Sequence, residues 1–181
     1  MAEAWVDESG GTKLRKEKNM NRSFGLYTSL LPLMMLGMLI VGCQRVQADD
    51  KNIKKIISTP DAPEAIGPYS QGVLFISRGL QTLYCSGQIA LDPKTGEIVP
   101  GTVSDQARRV MDNLKAIITA GGLSMADVVK TTIYLTDLAA FTDVNNVYMS
   151  YFSGDYPARV TVQVAALPKG ALVEMDAVAV K

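Results

Sequence analysis

The stretch "YPARVTVQVAALPKGALVEMDAVAV", residues 156–180, carries an arginine and a glutamate in two runs that otherwise alternate like strands. The planar guanidinium of Arg159 can donate two parallel hydrogen bonds to a carboxylate. The carboxylate of Glu174 can hold or deprotonate a water. Together they suit the capture of a small carboxylic acid and the addition of water to it, provided that strand geometry brings them together. In "RVTVQV" the residues Arg159, Thr161 and Gln163 share one face, and Val160, Val162 and Val164 the other. In "LVEMDAVAV" one face reads Val173, Met175, Ala177, Ala179, while Glu174 and Asp176 stand among Leu172, Val178 and Val180 on the second. An antiparallel pairing across "LPKG" that keeps polar opposite polar sets Gln163, Thr161 and Arg159 against Glu174, Asp176 and Val178, or slips from that by two. Arg159 and Glu174 then line one surface. The structural alternative for the same two residues is an ion pair at a subunit interface.

The elements that must position these groups are legible upstream. "TPDAPEAIGPYSQG", residues 59–72, is dense in Pro and Gly and reads as an ordered loop. "VLFIS" and "TLYCSGQI" flank "RGLQ" and predict a β-hairpin. "TVSDQARRVMDNLKAIITAGGL" carries Ala107, Val110, Met111, Leu114, Ile117 and Ile118 at helical spacing, with Thr102 or Ser104 to cap its start and Gly121 with Gly122 to end it. "VVKTTIYLTD" is a β-branched strand, and "LAAFTDVNNVYMSYF" predicts a second helix with Ala140, Phe141, Val144, Tyr148, Tyr151 and Phe152 along its apolar stripe. The order ββαβαββ implies one α+β domain, a mixed sheet with two helices on one face. The last strand is largely apolar on both faces, and two helices cover only one, so the second face is expected to meet another subunit.

Composition removes whole classes of chemistry. There is no histidine, which excludes Ser-His and Cys-His nucleophile pairs, the HExxH zinc helix and the two-His facial triad. Neither a metal nor a cofactor is called for. The formal net charge is zero, so no basic field attracts nucleic acid, and no nucleic-acid partner is expected. "KTG" at 94–96 matches one β-lactamase element without SxxK or SDN, and no GxxxxGK cradles phosphate. Of the two cysteines, Cys85 lies in a strand-like run and reads as a small buried thiol.

The amino terminus reads as processing rather than fold. Residues 1–19 are a polar leader or upstream extension, and residues 20–42 are a basic then apolar segment without charge between Arg22 and Arg45, as in an export signal. The run ends "IVGC", which resembles the lipobox of bacterial lipoprotein precursors and makes Cys43 the candidate lipidated residue; an uncleaved transmembrane anchor is the alternative. Residues 43–54 form a tether, and the domain spans 55–181. The expected location is exported, periplasmic or membrane-anchored, the lipid anchor being the only membrane contact. If the signal is not used, the protein is cytoplasmic.

Taken together, "AIGPYSQG", "SGQIALDPKTGEIV", "VMDNLKAIITAGGL", "VVKTTIYLTDL" and "PARVTVQVAALPKGALVEMDAVA" resemble the YjgF/Rid family of reactive intermediate deaminases over nearly everything from residue 57 onward. The resemblance implies a chorismate mutase-like (ferredoxin-like) α+β fold, a homotrimer with ligand sites between subunits, and hydrolysis of 2-imino or enamino acids to 2-keto acids and ammonia without a cofactor. It implies an enzyme acting on C–N bonds, like a 2-iminobutanoate/2-iminopropanoate deaminase. It assigns carboxylate binding to Arg159 and water positioning to Glu174, and places Tyr69, Ser86, the backbone of Gly87 and Asn145 beside the substrate. Many members read Ser-Cys after the arginine where this chain has Val160 and Thr161, so any role for a thiol is absent there, although Thr161 offers a hydroxyl. A non-catalytic small-carboxylate binding or chaperone-like module, and an endoribonuclease, remain the other function classes.

Overall fold

The computed structural model describes residues 52–181, together with two-residue strands at Trp5–Val6 and Thr12–Lys13 that pair with each other. Cys43 and the apolar run before it lie outside the described residues, and no described helix is long and apolar enough to cross a membrane. The domain contains six strands, β1 (Ile53–Ile57), β2 (Gly72–Ser77), β3 (Leu80–Ile89), β4 (Val128–Leu135), β5 (Ala158–Gln163) and β6 (Val173–Val180), and two helices, α1 (Val103–Ala120) and α2 (Phe141–Met149). They form one six-stranded sheet in the order β1-β2-β3-β6-β4-β5.

Local chemistry accounts for most of these elements. The β2–β3 hairpin closes through Arg78 and Gly79, both at positive φ (50° and 83°), the backbone that matches the twist of a two-residue hairpin. Thr102 caps α1 in a capping box with Asp105, and Gly121 with Gly122 ends it, Gly122 adopting φ 81°. All six expected stripe residues of α1 are buried against β3, β6 and α2. α2 is shorter than its apolar pattern: Val144 and Tyr148 are buried, but Phe141 is exposed and Tyr151 and Phe152 lie beyond the last turn.

Two expectations are corrected. β1 begins at Ile53, inside the segment read as a tether, and adds an edge strand before the expected ββαβαββ order. It pairs antiparallel with β2 from Ile53↔Ile76 to Ile57↔Gly72. Two lysines within "IKKII" obscure its alternation. The two closing strands, moreover, are not a hairpin. β4 lies between them, paired parallel with β5 and antiparallel with β6. The connection from Val164 to Leu172 is too long for a tight hairpin turn and carries a 3-10 turn at Pro168–Gly170, so it can pass the end of β4. β5, with its three polar residues, takes the sheet edge.

β6 is central, and it divides the molecule. Val173, Met175, Ala177 and Ala179 are almost wholly buried under the helices, while Glu174, Asp176, Val178 and Val180 point to the opposite face and are half-buried. By register that face also carries Ile56, Phe75, Tyr84, Val160 and Val162, all exposed, with Ile56 at 58% and Tyr84 at 54%. Within one chain, then, only one face of β6 is buried, and the other is an open, largely apolar sheet face.

Candidate active site

The bulge in β3 builds the first group of candidate residues. Pairing between β3 and β6 shifts register between Cys85 and Gln88, so Ser86 and Gly87 stand outside the ladder. Glu174 lies over this gap. A side chain on Gly87 would run into its Oε1 and push the carboxylate aside, so the absence of a Cβ there lets Glu174 take this position. Ser86 is tied to the preceding loop by its N–H to the Gln71 carbonyl (3.0 Å) and by its Oγ to the Ser70 carbonyl (2.6 Å). Tyr69, Ser86, Gly87 and Glu174, with Ile66, Ile89 and Pro168, line an open cavity of about 390 Å³. Partial burial, and after it the nearby Asp176 charge, raise the pKa of Glu174 above the usual carboxylate range.

Arg159 belongs to a second cavity. It is level with Thr131 and Ala177 across the sheet, which puts its side chain on the helix-covered face. There its Nη1 donates to Asn145 Oδ1 at 2.9 Å, and its guanidinium lies 4.8 Å from the Tyr148 ring centroid and 5.5 Å from that of Phe141. The Tyr148 hydroxyl in turn shares a hydrogen bond of 2.8 Å with Thr131 Oγ1, fixing the ring. Arg159, Asn145 and Tyr148, with Met149, Tyr156 and Pro157, line a cavity of about 410 Å³. Thr161 is on the same face of β5, its Oγ1 buried without a hydrogen-bond partner, and it does not line this cavity.

Arg159 and Glu174 therefore do not share a surface within one chain. The expectation that they line one sheet face fails because β4 intervenes and shifts the relation between the two alternations, so Arg159 falls on the helix face and Glu174 on the open one. Nor can they form an ion pair within the chain. Tyr69, Ser86, Gly87 and Glu174 are brought together, Asn145 joins Arg159, and the two groups stay apart.

Sequence reasoning missed two supports. Gln71 is buried at 4% exposure, its amide donating to the carbonyls of Thr59 (3.0 Å), Ala62 (3.0 Å) and Pro63 (2.8 Å) while its Oε1 accepts from Thr59 N–H (2.7 Å). It fastens the loop that carries Ile66 and Tyr69, and a glutamine inside a Pro/Gly-rich loop offered no pattern to reveal this. The aromatic seat of Arg159 did leave a trace. Phe141, Asn145 and Tyr148 are spaced four and three apart, hence on one side of α2. Cys85, facing the helices, is buried as expected, and that burial pushes its thiol up to about 12. Among the described residues no cluster of potential metal ligands occurs.

Comparison with known proteins gives consistent results. Residues 59–181 match the family model described as Endoribonuclease L-PSP. Protein DfrA of Myxococcus xanthus is 56% identical over 127 residues, 70% of this chain and 95% of that protein. The 2-iminobutanoate/2-iminopropanoate deaminase of Rattus norvegicus is 50% identical over 129 residues, 71% of this chain and 91% of that protein. Among solved structures, E. coli TdcF with bound serine aligns with a TM-score of 0.65 at 48% identity, over 70% of this chain and 98% of that one.

Proposed function

The chain belongs to the Endoribonuclease L-PSP family, the YjgF/Rid family, and from that premise we propose that it hydrolyses 2-imino acids such as 2-iminopropanoate and 2-iminobutanoate to 2-keto acids and ammonia. The observation that carries the reading is the division of labour between the two cavities. One holds a fixed guanidinium suited to a carboxylate, the other a desolvated carboxylate suited to water. A 2-imino acid needs both at once. A second copy of the chain supplies the missing half, and the open apolar sheet face is the surface on which copies would associate, as a homotrimer with three shared sites.

In such a site Arg159, held by Asn145 and the Tyr148 and Phe141 rings, pairs with the substrate carboxylate and fixes the imine carbon. Glu174 orients a water toward that carbon, which the protonated nitrogen makes electrophilic. The water oxygen bonds to carbon as its proton passes to Glu174, giving a carbinolamine. That proton then moves from Glu174 to nitrogen, the C–N bond breaks with its electron pair leaving on nitrogen, and ammonia departs as the carbinolamine O–H gives its proton to the ionised Glu174 and the C=O forms. Partial burial, which raises the pKa of Glu174, makes it a better proton acceptor than an exposed carboxylate. An endoribonuclease reading fits less well, because the chain has zero net charge and its best-placed cation is enclosed by two aromatic rings and an amide.

The test is ammonia release from freshly generated 2-iminobutanoate, with the oligomer mass measured on the same preparation. Substrate-dependent ammonia release from a species of three chain masses is expected. A trimer without turnover would favour a small-carboxylate binding module, and a monodisperse monomer would remove the shared site altogether. The proposal also includes export and lipidation at Cys43, supported by the uncharged residues 23–44 and "IVGC".

A further inference from the structure

The hydroxyl of Ser86 has one proton, and its position is already determined. Its Oγ lies 2.6 Å from the carbonyl oxygen of Ser70, an atom that can only accept. The geometry is held from both sides, since the Ser86 N–H donates to the next carbonyl, that of Gln71, and the Gln71 side chain is anchored at four backbone points. Turning the proton toward a ligand would forfeit the short bond to Ser70. Ser86 therefore presents lone pairs to the cavity it lines with Glu174.

We propose that Ser86 is a specificity-determining acceptor: it receives an N–H from the ligand's nitrogen, so the cavity prefers a ligand with N–H on its second carbon to the oxo acid with a carbonyl oxygen there. The inference rests on, and deepens, the imino-acid reading of the same site. A protonated imine offers two N–H donors, whereas the product offers none and turns its oxygen lone pairs toward those of Ser86. Substrate is retained and product released by the polarity of one hydroxyl. Glu174, when ionised, adds a second acceptor. Tyr69 is the opposing case, because its Oη accepts the Ile66 N–H at 3.2 Å and so keeps its own proton for a ligand.

Two stable probes with the same carbon skeleton separate these roles: 2-aminobutanoate, which carries N–H, and 2-oxobutanoate, which does not. Their binding to the full chain is measured by calorimetry for wild type, Ser86→Ala, Ser86→Thr and Tyr69→Phe, with melting temperature and oligomer mass as controls. Ser86→Ala should weaken the amino acid about tenfold or more, the effect of losing a hydrogen bond to a charged group, and the oxo acid less than about twofold. Ser86→Thr, which keeps the hydroxyl, should retain the preference. Tyr69→Phe should weaken the oxo acid more than the amino acid. Equal losses of both probes on Ser86→Ala would show a merely structural role and overturn the proposal, as would a wild-type preference for the oxo acid or no binding of the amino acid at millimolar concentration. Should wild type release no ammonia from 2-iminobutanoate while Ser86→Ala still loses the amino acid selectively, the deaminase reading falls and the acceptor role stands. Ammonia release with equal losses would do the opposite, leaving the deaminase reading in place and removing the acceptor role.

Discussion

If each catalytic site borrows its arginine from one subunit and its glutamate from another, two inactive variants should repair each other. Within one chain the two residues are far apart. β4 lies between β5 and β6, a lateral offset of about 10 Å at normal strand spacing, and Arg159 is level with Ala177, three residues or about 10 Å along the strand from Glu174. The backbone positions are thus roughly 14 Å apart, with side chains leaving opposite faces of the sheet. No small imino acid bridges them. Arg159→Ala removes a charge-assisted fork and should cost more than about tenfold in kcat/KM. Glu174→Gln keeps the shape, removes the basic oxygen, and should lower kcat more than it weakens binding of a 2-keto acid. When equal amounts of the two are dissociated, mixed and reassembled, a random interface receives an intact arginine and an intact glutamate about one time in four, so activity should return to about one quarter of wild type. Ammonia release before and after mixing measures the recovery, and native mass spectrometry, with one variant isotopically labelled, verifies that mixed oligomers formed. Verified mixed oligomers that stay as inactive as the separate variants would refute the shared site, because a site built from one subunit always lacks one member of the pair.

Other perturbations probe single contacts. Gly87→Ala places a methyl against the Glu174 carboxylate, and should cost on the order of 100-fold in kcat through misplacement while the melting temperature and oligomer mass stay near wild type. The pKa of Glu174 is raised in the fold, first by desolvation and then by Asp176. Its protonated form is therefore favoured by folding, and the associated stability is present below the unfolded pKa and lost as pH rises through the higher folded value. Glu174→Gln should accordingly match or exceed wild type in melting temperature at neutral pH, whereas a variant less stable there would contradict the desolvated-carboxylate assignment. For the same reason the pH profile of kcat/KM should fall on the acid side at a pH above the usual carboxylate range, and the Gln variant should lack that limb. Cys43→Ser should abolish metabolic lipid labelling and release the protein from the membrane fraction; an unlabelled wild type that still fractionates with membranes would identify an uncleaved anchor.

Features that depend on near neighbours are legible in the residues alone. Helical spacing from Ala107 to Ile118 marks the buried stripe of α1, and Thr102 with Gly121 and Gly122 sets its limits, because capping and amphipathicity act within a turn or two of the chain. The alternation of β6 likewise marks two largely apolar faces, of which two helices can cover only one; the structure puts the odd residues under the helices. Absence of histidine narrows the chemistry to guanidinium, carboxylate and hydroxyl before any fold is known. Strand neighbours are a different matter. Nothing in "RVTVQV" or "LVEMDAVAV" states that β4 will lie between them, because ladder pairing uses backbone groups that every residue shares, and partners are chosen by the packing of the whole sheet. That choice puts Arg159 under an aromatic seat on one face and Glu174 over the Gly87 bulge on the other. It also places the Ser86 proton on the Ser70 carbonyl, sixteen residues earlier in the chain. Residue types tell which groups could do chemistry, while the pairing of distant strands and loops sets which of them face each other and which way their protons point.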